Sequence, residues 1–200
     1  MKQRPGDPSA VSRETADRLD RFAALILTWN RTINLISKND ERHIHERHIR
    51  DSLTLLPYLP DGFSSAIDLG SGAGFPGLVL AIVTGLPFDL VEADKRKAAF
   101  LREAARITAA PVQVHAERIE NLTLQPAQLI TARALAPLTT LLTWATPLLT
   151  RDGVCVFPKG RTAEEELTTA TRQWQMRIEQ WPSPLDPFAR ILRLSEISRG

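Results

Sequence analysis

"AIDLGSGAGFPGLVL", residues 66–80, is the stretch on which the rest of the chain turns. An apolar run ends in Asp68, four glycines follow within residues 70–77, and an apolar stretch of helical length comes next. Glycine tolerates backbone conformations closed to other residues and lets the main chain approach a ligand closely. The stretch therefore reads as strand, ligand-binding loop and helix. Two patterns overlap in it. Gly72, Gly74 and Gly77 fit G-x-G-x-x-G, which sets a dinucleotide's pyrophosphate on a helix N-terminus. Asp68 with Gly70, Gly72 and Gly74 fits D-x-G-x-G-x-G, the pattern of S-adenosylmethionine sites.

Working outward, the chain from residue 65 alternates strand and helix. "SSAIDL" is a strand and 76–84 a helix; "FDLVEA" is a strand and 95–108 a helix with Phe100, Leu101, Ala104 and Ile107 facing inward. "VQVHA" and "QLITA" are strands, 137–149 a helix, "GVCVF" a fifth strand and "TAEEELTTATRQ" a helix. "MRIEQW" and "FARILRLS" close the chain with no helix between them, which predicts an antiparallel edge hairpin. Strands joined by helices pair in parallel through right-handed crossovers. The expected fold is α/β, a doubly wound, seven-stranded, mostly parallel Rossmann-like sheet.

Before the sheet, Leu19, Phe22, Ala23, Ile26 and Leu27 recur at helical spacing, predicting a helix over 9–29 with Ser9 as cap candidate. A second helix is expected over 40–56, stopped by Pro57 and Pro60. Residues 1–60 would then form a helical cap over the ligand edge of a single domain spanning 1–200, with 61–200 as the sheet.

Bulk properties exclude several classes. One cysteine, Cys155, rules out an internal disulfide framework and a cysteine-rich zinc site. "MKQRPGDPSA" lacks the apolar core of a signal peptide, and no run of apolar residues reaches membrane-spanning length, so a cytoplasmic protein is expected. Net charge is only +2, but "RHIHERHIR" (42–50) gathers three arginines and three of the four histidines against one glutamate. A local basic patch on a nearly neutral protein can be a footprint for phosphate. No metal is expected, because helical spacing does not converge His43, His45 and His48.

Spacing alone does not choose between the two loop patterns, since Glu92 stands where a ribose-binding acid would in either. Asp68 tilts the choice: a carboxylate facing the ligand would repel a pyrophosphate, yet suits an ammonium and a sulfonium. The remaining chain is also too short to supply the substrate domain of a dehydrogenase. S-adenosylmethionine is the favoured cofactor.

"NLISKNDERHIHERHIRDSLTLLPYL", "AIDLGSGAGFPGLVLAI", "LVEADKRKAAFLRE", "HAERIENL", "ITARALAPL" and "FPKG" follow one another in the order and spacing of the RsmG family, also called glucose-inhibited division protein B. The resemblance spans about residues 22–195. It implies a class I methyltransferase that acts on guanine N7 in bacterial 16S rRNA, at the guanosine 527 site in the 530 loop of the small subunit. It also implies a cofactor pocket built from Gly70 and Phe75 in the loop, Ile119 and Glu120 after the third strand, and Arg133 after the fourth. Asp68, Gly72, Gly74 and Glu92 complete the expected cofactor set. Arg133 would meet either the methionine carboxylate or the target guanine.

The missing devices agree with that chemistry. The segment after the fourth strand reads "TARALAP", without the Asn/Asp-Pro-Pro-aromatic motif of exocyclic-amine methyltransferases, and Cys155 sits in an apolar strand as a core residue rather than a nucleophile. Guanine N7 attacks with an exposed lone pair and loses no proton, so alignment and electrostatics suffice and no general base is expected. Arg133 is the one candidate catalytic residue, acting by orientation or charge. RNA-facing candidates are Arg47, with His43 and Arg50 on one helical face, and Asn34, His48, Asp51 and Ser52 above the cofactor. Lys159 of "FPKG" would meet a phosphate. The expected partner is 16S rRNA within a small subunit or its precursor; no membrane is expected, and the protein is expected to be a monomer. Rival readings are methylation of a small molecule or protein on the same sheet, and a non-catalytic RNA-binding module.

Overall fold

The computed structural model describes residues 11–200. Its centre is one sheet of seven strands: β1 (Ala66–Leu69), β2 (Phe88–Val91), β3 (Val112–His115), β4 (Ala127–Thr131), β5 (Leu149–Lys159), β6 (Trp174–Pro182) and β7 (Arg190–Arg199). They lie in the order β3-β2-β1-β4-β5-β7-β6. The first five pair in parallel. The expected closing pair is present, but β7 inserts between β5 and β6 and runs antiparallel to both. Strand order reverses between β1 and β4, which opens a crevice at their carboxyl ends.

Helices α1 (Arg13–Trp29), α3 (Gly77–Thr84) and α4 (Lys95–Thr108) cover one face; α5 (Leu138–Ala145) and α6 (Ala163–Ala170) pack together on the other. The cap of α1 is Ser12, whose side chain accepts from Thr15 N–H. Ser9, the cap expected from sequence, lies outside the described residues. Phe22 of α1 is fully buried between Phe75 and Phe100, with ring centroids 5.5 and 6.3 Å away. Such burial stabilises by about 1.5–3 kcal/mol. Arg18 donates to the carbonyls of Ile82, Thr108 and Ala109, so one guanidinium serves the C-terminal ends of α3 and α4 together. Residues 13–59 thus share the apolar cluster of the sheet rather than forming a separate body.

The segment expected as a regular helix over 40–56 is broken. A 3₁₀ turn (Glu41–His43) leads into a π turn (His45–Ile49), then into α2 (Arg50–Leu53) and a second 3₁₀ turn (Leu56–Tyr58). The buried residues Ile44 and Ile49 stand five apart, a spacing suited to a π turn and not to an α-helix. Arg50 N–H bonds back to the carbonyl of His45. His43, Arg47 and Arg50 all remain exposed. The regular α-helical register on which their shared face rested is absent, because packing two isoleucines widened the turn.

Candidate functional site

At the β1–β4 crevice lies a cleft of about 610 Å³. The glycine loop forms its floor. Gly70 and Gly72 take φ of 65° and 55°, the left-handed region in which a side chain is strained. A Cβ on Gly72 would meet only Gly70 O, at 3.8 Å, so the backbone there is open to approach. A Cβ on Gly70 would strike Leu135 Cδ1 at 2.5 Å. Leu135 therefore covers that part of the floor.

Glu92, at the end of β2, closes the loop. Its Oε2 accepts from Gly72 N–H at 2.8 Å and its Oε1 from Asp94 N–H at 2.8 Å. Each oxygen keeps a second acceptor position. Glu92 thus braces the loop at Gly72 and Asp94, an arrangement that either loop pattern allows.

Asp68 needs correction. It does not line the cleft: it is fully buried beneath the loop, its Oδ1 takes the Thr131 hydroxyl at 2.6 Å, and its Oδ2 has no hydrogen-bond partner. Burial pushes its carboxyl up to about 6. A Cβ on Gly77 would lie within 2.7 Å of Oδ2, so that glycine exists to let α3 begin against Asp68. The carboxylate sits where the helix N-terminus favours negative charge. Gly74 likewise packs rather than binds, its α-carbon facing Phe22 and Leu78.

The opposite wall carries Ile119 and Glu120, as expected, on a 3₁₀ turn (Ile119–Asn121). Asn121 and Leu122 N–H bond back to the carbonyls of Arg118 and Ile119, whereas the N–H groups of Ile119 and Glu120 have no carbonyl within the turn. Glu120 N–H is engaged by its own carboxylate, which leaves Ile119 N–H as the donor of the pair free to meet a ligand. Lys97 and Trp144 also line the cleft, and the sequence did not single them out. Trp144 belongs to no quoted motif, and Lys97 lies within "LVEADKRKAAFLRE" without being singled out; the packing of α4 and α5 brings both in.

Arg133 follows β4 and stands between this cleft and a second one of about 460 Å³. Its Nη1 donates to Asp51 Oδ2 at 3.1 Å and its Nη2 lies 3.0 Å from His48 Nδ1. His48 stacks on Phe75 (4.9 Å, 23°), and Arg133 Cζ lies 5.1 Å from the centre of the same ring. Phe75 is thus a platform for both. Burial, then the charge of Arg133, pushes the imidazole of His48 down to about 4, so it is neutral at pH 7. Its Nδ1 faces a donor, which places the proton on Nε2, 3.6 Å from Asp40 Oδ2. The residue after Arg133, Ala134, has φ 51°. Strain of that kind collects where a loop is held for function.

Three expected RNA-facing residues are placed differently, and a fourth, Arg47, is exposed as expected. Ser52 is buried and donates its hydroxyl to His48 O at 2.8 Å. Asn34 is exposed on a separate groove. Its neighbour Asn30 shapes the site instead, accepting from the N–H groups of Leu35 and Ile36, both of which line the cofactor cleft. Arg47 is exposed but bound to Asp40 at 2.6 Å. Lys159 lines the second cleft, yet its ammonium is spent on Glu166 (2.6 Å) and Ala136 O (3.0 Å). Cys155 is fully buried, and burial pushes its thiol up.

The model of the GidB family, described as rRNA small subunit methyltransferase G, matches residues 15–183. The chain belongs to this family. The proteins named ribosomal RNA small subunit methyltransferase G from Granulibacter bethesdensis and Gluconobacter oxydans are 56% and 52% identical to it. The alignments cover 96% of this chain in both cases, and 90% and 98% of those proteins. Among solved structures, M. jannaschii TYW2 in complex with AdoMet gives a TM-score of 0.59 at 12% identity, over 85% of this chain and 80% of that one. A TehB-like SAM-dependent methyltransferase from Corynebacterium glutamicum gives 0.59 at 16%, over 88% and 98%. These likenesses establish the Rossmann-like methyltransferase fold. Within the GidB family, the cleft fits S-adenosylmethionine: open backbone at Gly72, with Glu92, Ile119 and Glu120 along its lining. Among the described residues no helix is long and apolar enough to cross a membrane, and no group of three or more His, Cys, Asp or Glu gathers as for a metal.

Proposed function

We propose that the chain transfers the methyl group of S-adenosylmethionine to N7 of a guanine in 16S rRNA, presented by a small ribosomal subunit or its precursor. Arg133 carries this reading. It forms, with Ala134 and Leu135, the shared wall of two adjoining clefts, one fitted to the cofactor and one open beside it. When bound, the cofactor supplies an electrophilic methyl on a sulfonium. The chain's own residues supply position and charge.

Asp51 opens on the second cleft and is held by Arg133. Its carboxylate can accept from the ring N–H and amino group of a guanine and so hold the base in the second cleft. As the N7 lone pair is spent, positive charge grows on the purine, and a nearby carboxylate stabilises it. Neutral His48 holds the Arg133 guanidinium by accepting from it and takes no proton from the base. A preorganised donor and acceptor of this kind act on charge that develops during transfer.

Incubation of the purified protein with labelled cofactor and either protein-free 16S rRNA or small-subunit particles tests the reading. Label in the RNA at guanine N7 is expected; label at another atom, or none in RNA under any of these conditions, would sink it. Changing Arg47 and Arg50 together to glutamate should lower RNA methylation at least tenfold through lost phosphate attraction, with cofactor affinity intact.

A further inference from the structure

The turn joining β6 to β7, "SPLDPFA" (183–189), ends beside the second cleft, which Ser183 and Ala189 line. Two of the four large apolar side chains exposed among the described residues fall in this one turn. Leu185 is 37% exposed and Phe188 58%, the highest of the set. The turn is built rather than loose. Ser183 N–H donates to Ala189 O, Ala189 N–H to Asp186 O, and Phe188 N–H to Asp186 Oδ1, all within 3.0 Å. Arg190 donates to the carbonyls of Pro187 and Ala189, and two prolines fix their own φ. A tied turn thus holds an aromatic ring out in solvent.

One face of that ring is claimed. Arg161 Cζ lies 4.4 Å from the ring centre, and Arg161 follows Gly160, another residue lining the second cleft. Arg161 has no carboxylate partner among the described residues, while Arg190, at the same rim, is paired with Glu164 at 3.7 Å. An exposed ring beside unneutralised positive charge suits a flat ligand tied to a phosphate. The apolar surface is a ring and one leucine, bracketed by Asp186, Glu164 and the arginines. That is far too little for a stable protein interface, which needs on the order of 1,000 Å².

We infer that Phe188, backed by Arg161, is a stacking seat for an unpaired base that neighbours the target guanine in the RNA. The inference rests on the reading of RNA as substrate. The ring presents its free face to the base, and Arg161 stays over the other face with its charge toward the backbone. Base–aromatic stacking tolerates any sequence, so the seat contributes grip and register, while the choice of guanine stays with Asp51.

The test compares Phe188→Ala, Phe188→Leu and Phe188→Trp with the parent, each first shown to melt normally. With small-subunit particles, the alanine and leucine variants should raise the RNA KM about tenfold, with kcat within about twofold and cofactor affinity unchanged; tryptophan should restore the parent value. Binding of protein-free 16S rRNA should weaken by a similar factor in the alanine variant with an unchanged salt slope, whereas Arg161→Ala should reduce that slope. An alanine variant that binds and methylates like the parent overturns the seat. So does a leucine variant that matches tryptophan, since a merely apolar contact would then suffice. A parent chain that labels no RNA defeats the enzymatic reading alone, and the binding comparison still decides the seat.

Discussion

The glycine loop and the basic segment over residues 40–56 face the same crevice and were written by different rules. In the loop, local backbone demands dominate. Gly70, Gly72 and Gly74 all have positive φ, and Gly74 N–H bonds to Ser71 O within the loop. In the basic segment no such local rule holds. A helix of regular register was expected, and burial of Ile44 and Ile49 stretched it into a π turn. That turn leads into the short helix from which Asp51, with His48 before it, meets Arg133, more than 80 residues away in sequence. One region is fixed by what a residue can do with its own backbone. The other is fixed by what reaches it from across the fold.

The largest expected effect lies where the two regions meet. Arg133→Met removes the link from β4 to both Asp51 and His48; methyl transfer to RNA should fall by about a hundredfold or more, measured as single-turnover rate at saturating cofactor. An unchanged rate would mean the shared wall has no part in alignment. Gly77→Ala attacks the loop alone. Because the added Cβ meets the side chain of Asp68 and not a ligand, stability should drop by about 2–3 kcal/mol. Thermal melts would register this, while folded protein should bind cofactor nearly as well as the parent. Cofactor affinity that falls with little loss of stability would instead make Gly77 a binding glycine. Glu92→Gln, which weakens both loop anchoring and the ribose-facing acceptor, should raise the cofactor Kd about tenfold, read by calorimetry.

The smallest effect is in the pH dependence of stability. Folded His48 is pushed down to about 4 from 6.5, so its contribution is lost as pH falls through that window. Folded Asp68 is raised to about 6 from 3.8, so its contribution is lost as pH rises across that window. Between about pH 4 and 6 the two slopes oppose and the parent should be nearly flat. Asp68→Asn removes one of them, and denaturant melts should then show stability falling on acidification by up to about 1.4 kcal/mol per pH unit. A variant as flat as the parent would show that the two groups are not the opposing pair.

Much of the site was legible because its signals are local. Glu92, Ile119, Glu120 and Arg133 each stand just past a strand end, and strand ends of this sheet lie at the crevice. Asp68 was misplaced for the same reason: its position at the end of β1 is correct, but the sequence does not show that its side chain points under the loop toward Thr131 and Gly77. The conclusion it supported stands on the family match instead. Ser52 and Lys159 were misassigned because their partners, His48 O for the one and Glu166 for the other, were invisible until the chain folded. Trp144, outside every quoted motif, and Lys97, an unremarked position within one, were missed.

The sequence by itself determined the alternation of strand and helix, the glycine loop, the antiparallel close and the family. These depend on backbone freedom, hydrophobic period and motif order, all properties of neighbouring residues. Tertiary structure alone decided which carboxylate guards the loop, that the basic segment contains a π turn, and that His48, Asp51, Phe75 and Arg133 form one group. Each of these depends on contacts across the fold, where burial and hydrogen-bond satisfaction overrule local preference.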